Sequence, residues 1–336
     1  IDIELQEWIH DIFPKSLTGA VIALDPEDGG ILALYSNPGY DPNDFVSGIS
    51  TELWQSLNAD NRNPLFNRVV LGLYPPASTW KLAVAGIGLD LGVITPDEKM
   101  PVACTGSYTF GDRSYRCWDP DGHGFNNLAE AIGNSCDVYF YQLGLRIGLD
   151  PLLRRSTEIG FSRQCGIDLP QESRGIFPSE REFWEQRFGY APREGEVLPL
   201  SIGQGPNSQT PLKIAQFYLA LARDGTAPTP VLARGLEIGD TWALDLDPGH
   251  MEALREGLRK VTAPGGTAHF GTALEHWEVL GKTGTAEHGL SQAGFAEPHA
   301  WFAGMAGPFD GPPRIVVVVI VEYGESGSAI AAPIMA

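Results

Sequence analysis

The chain has 336 residues, 43% hydrophobic and 19% charged, a globular composition with ample material for a core. Lys and Arg total 23 against 42 Asp and Glu, a formal charge of −19. That balance excludes the basic footprint of a nucleic-acid binder and makes an anionic membrane surface a poor partner. No segment reaches the apolar length that crosses a bilayer. The chain opens Ile1-Asp2-Ile3 without an initiator Met, n-region or cleavage site and reads as an excised or processed fragment, so the absence of a membrane anchor in it says little about the natural protein.

In chain order, Leu17 to Leu24 and Ile31 to Ser36 are apolar runs flanking Pro26-Glu27-Asp28-Gly29-Gly30, a hairpin signal. Ser78 to Leu91, rich in Leu and Ala, predicts a helix ending near Gly92. Leu128 to Gly148 has a helical period with a break around Gly133-Asn134. Thr210-Pro211 starts a helix that runs to Arg223 and stops at Gly225, with Pro in the first turn. His250 to Val261 predicts another, stopping before Pro264-Gly265-Gly266. Glu278 to Thr285 reads as a strand. A second hairpin follows, Trp301 to Ala306 and Ile315 to Val321 around Pro308-Phe309-Asp310-Gly311-Pro312-Pro313. Strands at both ends and helices between predict an α+β fold, with a central antiparallel sheet joining the N- and C-terminal segments, flanking helices and a helical subdomain. One domain over residues 1–336 is the expected organisation.

Three short constellations carry chemistry. In Ser78-Thr79-Trp80-Lys81, a Ser and a Lys three apart on a helix share a face. A Ser hydroxyl is a weak nucleophile until a base takes its proton, and a Lys serves as that base when its surroundings favour the neutral amine. The helix N-terminus adds N–H groups that favour negative charge on an attacked carbonyl. Alone, the pattern is more often a Ser cap beside an exposed Lys. In Ser135-Cys136-Asp137, a second hydroxyl can relay a proton, and Asp137 can hold a Lys or a substrate amide. In Gly281-Lys282-Thr283-Gly284-Thr285, a strand would put Lys282 and Gly284 on one face and Thr283 and Thr285 on the other. An edge strand here would bind an extended peptide, Gly284 would permit its close approach, and Lys282 would supply charge for a carboxylate. Each triplet by itself is commonplace; the three in this order are not.

With these motifs the sequence resembles the transpeptidase domain of class B penicillin-binding proteins, of the elongation-specific penicillin-binding protein 2 type. The resemblance covers nearly the whole chain. It extends to Gly19 to Asp25 with Gly30 to Leu34, Pro38-Gly39-Tyr40-Asp41-Pro42-Asn43, Tyr74-Pro75-Pro76-Ala77-Ser78, Gly203-Gln204-Gly205 with Thr210-Pro211-Leu212, and His299-Ala300-Trp301-Phe302. Asp137 stands where the wider family often has Asn, as the elongation branch commonly does, and Ala77 replaces a frequent Gly. The resemblance implies the penicillin-binding and serine β-lactamase-like fold and a serine D,D-transpeptidase that needs no cofactor for catalysis. Ser78 would attack the penultimate D-alanine carbonyl of a donor stem peptide, Lys81 would take its proton, and Ser135 would relay a proton to the leaving amine. The N–H groups of Ser78 and Thr285 would form the oxyanion hole. Asp137, Lys282, Thr283, Gly284 and Thr285 would bind substrate. An acceptor amine would complete the crosslink, and β-lactams would trap Ser78. The resemblance also implies a membrane anchor and pedestal domain upstream, a location outside the cytoplasmic membrane, and a SEDS-family glycosyltransferase partner.

Cys104, Cys117, His123 and Cys136 fall within 33 residues of an otherwise Cys-poor chain. If Ser135 and Asp137 face a cleft, Cys136 points away from it. Three thiolates and an imidazole suit a structural tetrahedral zinc. A Cys104–Cys117 disulfide and a set of buried free thiols are competing readings. Cys165 reads as a core residue. His10, His250, His269, His276 and His288 have no evident partner, and His299 reads as structural. A serine β-lactamase, a D,D-carboxypeptidase and a non-enzymatic β-lactam sensor are the rival functions. No Glu-x-x-Leu-Asn-like segment stands between the second and third motifs to activate a hydrolytic water, and three intact motifs argue against a vestigial site.

Overall fold

The computed structural model describes residues 1–233, 235, 242–287, 290–291, 294–295 and 297–335. Helix α1 (Ile3–Ile12) opens the chain on an Asp2 cap, and strands β1 (Thr18–Leu24) and β2 (Ile31–Asn37) form the first hairpin. A 3₁₀ turn over Ala77–Trp80 runs into α2 (Lys81–Asp90). A small hairpin, β3 (Ser107–Phe110) and β4 (Arg113–Arg116), precedes α3 (Leu128–Gly133) and α4 (Asp137–Ile147). Then come α5 (Leu149–Glu158), α6 (Pro211–Ala222) and α7 (Pro248–Thr262). The chain returns to the sheet with β5 (Trp277–Ala286), β6 (His299–Pro308) and β7 (Ile315–Glu322).

The five strands lie in the order β2-β1-β7-β6-β5, all antiparallel. The first and last strands therefore pair at its middle, Thr18 opposite Glu322 and Leu24 opposite Val316. Val316 to Val321 are all buried, so this strand is covered on both faces, which is why it reads as a continuous β-branched run rather than an alternation. β2, at the edge under α1, alternates buried and half-buried residues. There the Gln6 side chain both donates to Leu34 O and accepts from Leu34 N–H, each at 2.9 Å, and so occupies backbone groups that the edge leaves open.

α6 is buried along its whole length and runs against β1, β6 and β7. Its Thr210 cap accepts from Lys213 N–H, and Pro211 fills a position whose N–H needs no partner. α7 lies against α3 and β5. It begins at Pro248, two residues before the expected His250, because Asp247 caps it. The expected helix from Ser78 divides into the 3₁₀ turn and α2, and the break after Gly133 spans residues 134–136.

Candidate active site

Two proline residues and a strained alanine shape the turn that carries Ser78. Ala77 has φ +48°, in the left-handed region that costs a non-glycine residue about 1 kcal/mol or more. This is the position where the wider family frequently has Gly, and the backbone gives the reason. The turn is held from several sides. Ala77 N–H donates to Gly203 O at 3.0 Å. Trp301 Nε1 donates to Pro75 O at 3.0 Å, and buried Tyr218 Oη donates to Thr79 O at 3.1 Å. Gly203 has no alternative: at φ +75°, an added Cβ would lie 2.2 Å from Ala77 O. In a 3₁₀ turn, side chains three apart eclipse, so Ser78 and Lys81 line up more closely than on an α-helix. Ser78 is half-buried, and neither its hydroxyl nor its N–H has a hydrogen-bond partner among the described residues.

Lys81 is fully buried at the first position of α2. Its Nζ donates to Ser135 O at 2.8 Å, Ser135 Oγ at 3.2 Å and Asp137 Oδ1 at 2.7 Å, which uses the three protons of an ammonium. Its charge also lies over the Phe140 ring at 5.5 Å. Ser135 sits in the break between α3 and α4 with φ +52°, a second strained residue at the same centre. Asp137 opens α4, and its other oxygen accepts from Trp118 N–H at 3.1 Å. Of the two partners the residue type allowed, a Lys or a substrate amide, the structure shows the Lys: one oxygen takes Lys81 and the other the Trp118 N–H.

The third motif lies on β5, at the edge of the sheet. Lys282 is fully buried and donates to Thr283 O at 3.2 Å. Burial, and next the charge on Lys81, holds its amine well below the usual lysine range, while Asp137 pulls the other way. Gly284 faces inward with Lys282. An added Cβ there would stand 3.1 Å from Trp301 Cβ, 3.3 Å from Pro76 O and 3.3 Å from Thr79 Cγ2. Glycine here therefore also lets the nucleophile turn pack closely against β5. Thr283 and Thr285 face the opposite way, Thr285 exposed and Thr283 at 9% exposure with its hydroxyl 3.1 Å from that of Thr267. β7 ends in Glu322, which accepts from Tyr74 Oη at 2.6 Å and Arg68 Nε at 3.1 Å. Burial would raise this carboxyl, but bonds from Thr18, Tyr74 and Arg68 hold it below the usual range.

Cys104, Cys117, His123 and Cys136 converge, their ligand atoms all within 4.8 Å of one another. His123 Nδ1 lies 3.7 Å from Cys104 Sγ and 3.5 Å from Cys117 Sγ, and its Nε2 lies 3.8 Å from Asp119 Oδ2. All four cysteines of the chain are free thiols, so the Cys104–Cys117 disulfide is not formed; both sulfurs turn to His123 instead. The Cys117 thiol is pulled down, first by its hydrogen bond with Cys136. Cys136 directly precedes Asp137 and points into the protein, as expected from the cleft-facing residues beside it. Cys165 is buried apart from the cluster. Of the histidines, His299 accepts from Tyr323 N–H at 3.2 Å on β6 and is structural; His288 lies outside the described residues.

Residues 19–336 match the family described as Penicillin binding protein transpeptidase domain. The chain belongs to that family. It is 34% identical to Peptidoglycan D,D-transpeptidase MrdA of Haemophilus influenzae, over 99% of this chain and 54% of that protein. A crystal structure of Pseudomonas aeruginosa PBP2 in complex with WCK 5153 is similar at 36% identity and a TM-score of 0.88, covering 100% of this chain and 73% of that one. Helicobacter pylori PBP2, solved as a complex with MreC, is similar at 32% identity and a TM-score of 0.88, covering 99% of this chain and 61% of that one. The chain is thus of the class B, penicillin-binding protein 2 type, and its fold is the one these relatives share. The chain spans about half the length of the curated relatives it matches.

Sequence reasoning missed Tyr218, Trp118 and Thr267 at this centre. Each acts through a contact between segments far apart in the chain, and only Thr267 had a local signal, the preceding Gly265-Gly266 pair.

Proposed function

We propose that residues 1–336 form one transpeptidase domain that crosslinks peptidoglycan through a serine acyl-enzyme. The observation that carries this reading is the Lys81 amine nitrogen held between Ser135 and Asp137, beneath a nucleophile turn closed against Gly284. Ser78 Oγ attacks the penultimate D-alanine carbonyl of a donor stem while Lys81, in its neutral form, takes the Ser78 proton. The N–H groups of Ser78 and Thr285 receive the developing oxyanion. The C–N bond breaks, a proton passes through Ser135 to the leaving nitrogen, and D-alanine departs. An acceptor amine attacks the Ser78 ester, loses its proton through the same groups, and frees the serine. Asp137 acts on Lys81, fixing its position between Ser78 and Ser135. Lys282 supplies positive potential below the strand, and Thr283 and Thr285 on its outer face hold the donor carboxylate. Every step runs on side chains and backbone, without a cofactor.

The cysteine cluster fits a structural zinc. With Zn–S near 2.3 Å and Zn–N near 2.0 Å, tetrahedral ligand atoms stand roughly 3.5–3.8 Å apart; the two sulfur distances to His123 Nδ1 are 3.7 and 3.5 Å. Cys104, Cys117, His123 and Cys136 would hold the ion, Asp119 would orient His123, and the ion would tie the segments on either side of the β3–β4 hairpin to Ser135 and Asp137.

By analogy with relatives that cover more sequence, the whole protein is anchored to the cytoplasmic membrane with this domain outside it. It would work beside a SEDS-family glycosyltransferase and a partner like the MreC of the Helicobacter complex. The test of function is intact mass during incubation with benzylpenicillin. We expect a persistent adduct on the parent and none on Ser78→Ala. An adduct that disappears as drug is consumed would instead identify a β-lactamase.

A further inference from the structure

Between α7 and β5 the chain runs Ala263-Pro264-Gly265-Gly266-Thr267-Ala268. This segment doubles back on the end of the helix. Gly265 takes φ +87°, and an added Cβ on Gly266 would lie 2.1 Å from Lys260 O and 2.3 Å from Val261 O. Ala268 N–H then closes the return on Val261 O at 2.9 Å. The product of this tight path is one contact: the Thr267 hydroxyl at 3.1 Å from that of Thr283. Gly265, by its left-handed φ, and Gly266, whose Cβ space is taken by backbone, hold the approach, so the pairing is built into the turn.

We propose that Thr267 is a positioning residue for the carboxylate of the acyl donor, acting through the Thr283 hydroxyl. The inference rests on the reading that Thr283 holds that carboxylate. A hydroxyl has one proton and two lone pairs. If Thr283 donates to Thr267, it has no proton left for an anion. If Thr267 donates to Thr283, the Thr283 proton is free, and an ionised carboxylate, which only accepts, selects that arrangement. The two hydroxyls then run in series, Thr267 to Thr283 to carboxylate, each bond polarising the next. Thr267 thereby sets the rotor of a side chain that is itself largely withdrawn from water.

The experiment measures acylation of the protein by benzylpenicillin and by its methyl ester, which lacks the anion, over a range of concentrations. Parent, Thr267→Val, Thr267→Ser and Thr283→Val are compared, with melting temperature recorded for each. We expect Thr267→Val to raise the half-saturating concentration of benzylpenicillin about five- to tenfold, the scale of one hydrogen bond between neutral groups. Its maximal acylation rate and its kinetics with the ester stay near those of the parent, and Thr267→Ser restores the parent values. Unchanged benzylpenicillin kinetics in Thr267→Val overturns the proposal. So does an equal loss for acid and ester, which marks a merely structural residue. A parent and a Thr283→Val variant that do not distinguish acid from ester overturn it as well, and identify the carboxylate reading of Thr283 as the failed step.

Discussion

Asp137 and Lys81 form a buried ion pair at 2.7 Å, with the Lys81 side chain at 0% and the Asp137 side chain at 12% exposure. Fully buried Lys282 adds a second amine to the same carboxylate's field, and Asp137 favours its charged form. Removing the carboxylate leaves Lys81 buried without its counter-ion. We expect Asp137→Ala to lose about 3–5 kcal/mol of stability. Asp137→Asn, which keeps an oxygen toward Lys81, loses less. Urea titration of both variants checks the order, and equal stability of Asp137→Ala and the parent would refute the pairing argument.

The depressed amine of Lys282 has a pH signature. Its unfolded value is near 10.4, and its folded value is well below the usual range. Between the two, the unfolded chain binds a proton that the folded chain does not, so this group makes stability rise with pH through that interval. Below the folded value both states are protonated and the cost of burying the charge is felt in full. Urea midpoints at several pH values from 7 to about 10 should therefore show the parent gaining on Lys282→Met as pH rises. Parallel curves would mean that Lys282 is buried without a shifted proton affinity.

Gly203→Ala tests the closure of the nucleophile turn. The new methyl would enter the space of Ala77 O, 2.2 Å away, from a backbone at φ +75°. The strain and the clash together should cost more than about 2 kcal/mol. The larger effect falls on chemistry: displacement of Ala77 carries Ser78 with it, and penicillin acylation at saturating drug should slow at least tenfold, roughly the penalty of a small misplacement of reacting groups. Parent-like acylation in the folded variant would show that the turn does not depend on this contact.

The cysteine cluster predicts one zinc per chain by elemental analysis of protein purified without chelator, and none in a Cys117→Ser, His123→Ala double variant. Stripping the ion should lower the melting temperature and slow acylation, because the loop bearing Trp118 contacts Asp137 directly. Re-addition of zinc, and not of magnesium, should restore both, since thiolate ligands are soft. A parent with no bound metal and full stability would leave the four residues as a thiol cluster.

Much of the fold is legible from local pattern. The β-branched run of β7 announces a strand buried on both faces, and Thr210-Pro211 announces α6 by its cap. Helix α1 carries the same kind of signal in the Asp2 cap and in Leu5, Ile9 and Ile12, but buries only Ile9 fully, and its mostly polar surface hides it. The β3–β4 hairpin has strands too short for a period to register. At the site, residue types and order singled out Ser78, Lys81, Ser135 and Lys282 as candidates, and left open which side chains face one another. A helix was the natural reading of Ser78 to Leu91. The 3₁₀ turn there is imposed by Gly203, Tyr218 and Trp301, which propensity does not see. The same limit applies to Asp137, whose partner is fixed by the meeting of α2 and α4.

The pairing of β1 with β7 also constrains how the molecule comes into being. As the chain leaves the ribosome, the β1–β2 hairpin emerges before β7, and its inner edge stays open until residues 315–322 follow. The surface against which the Ser78 turn closes, Gly284 and Trp301, arrives late as well. Closure of the long loop between β1 and β7 precedes a working centre, so a polypeptide that stops before β5 carries the serine but has nothing to seat it.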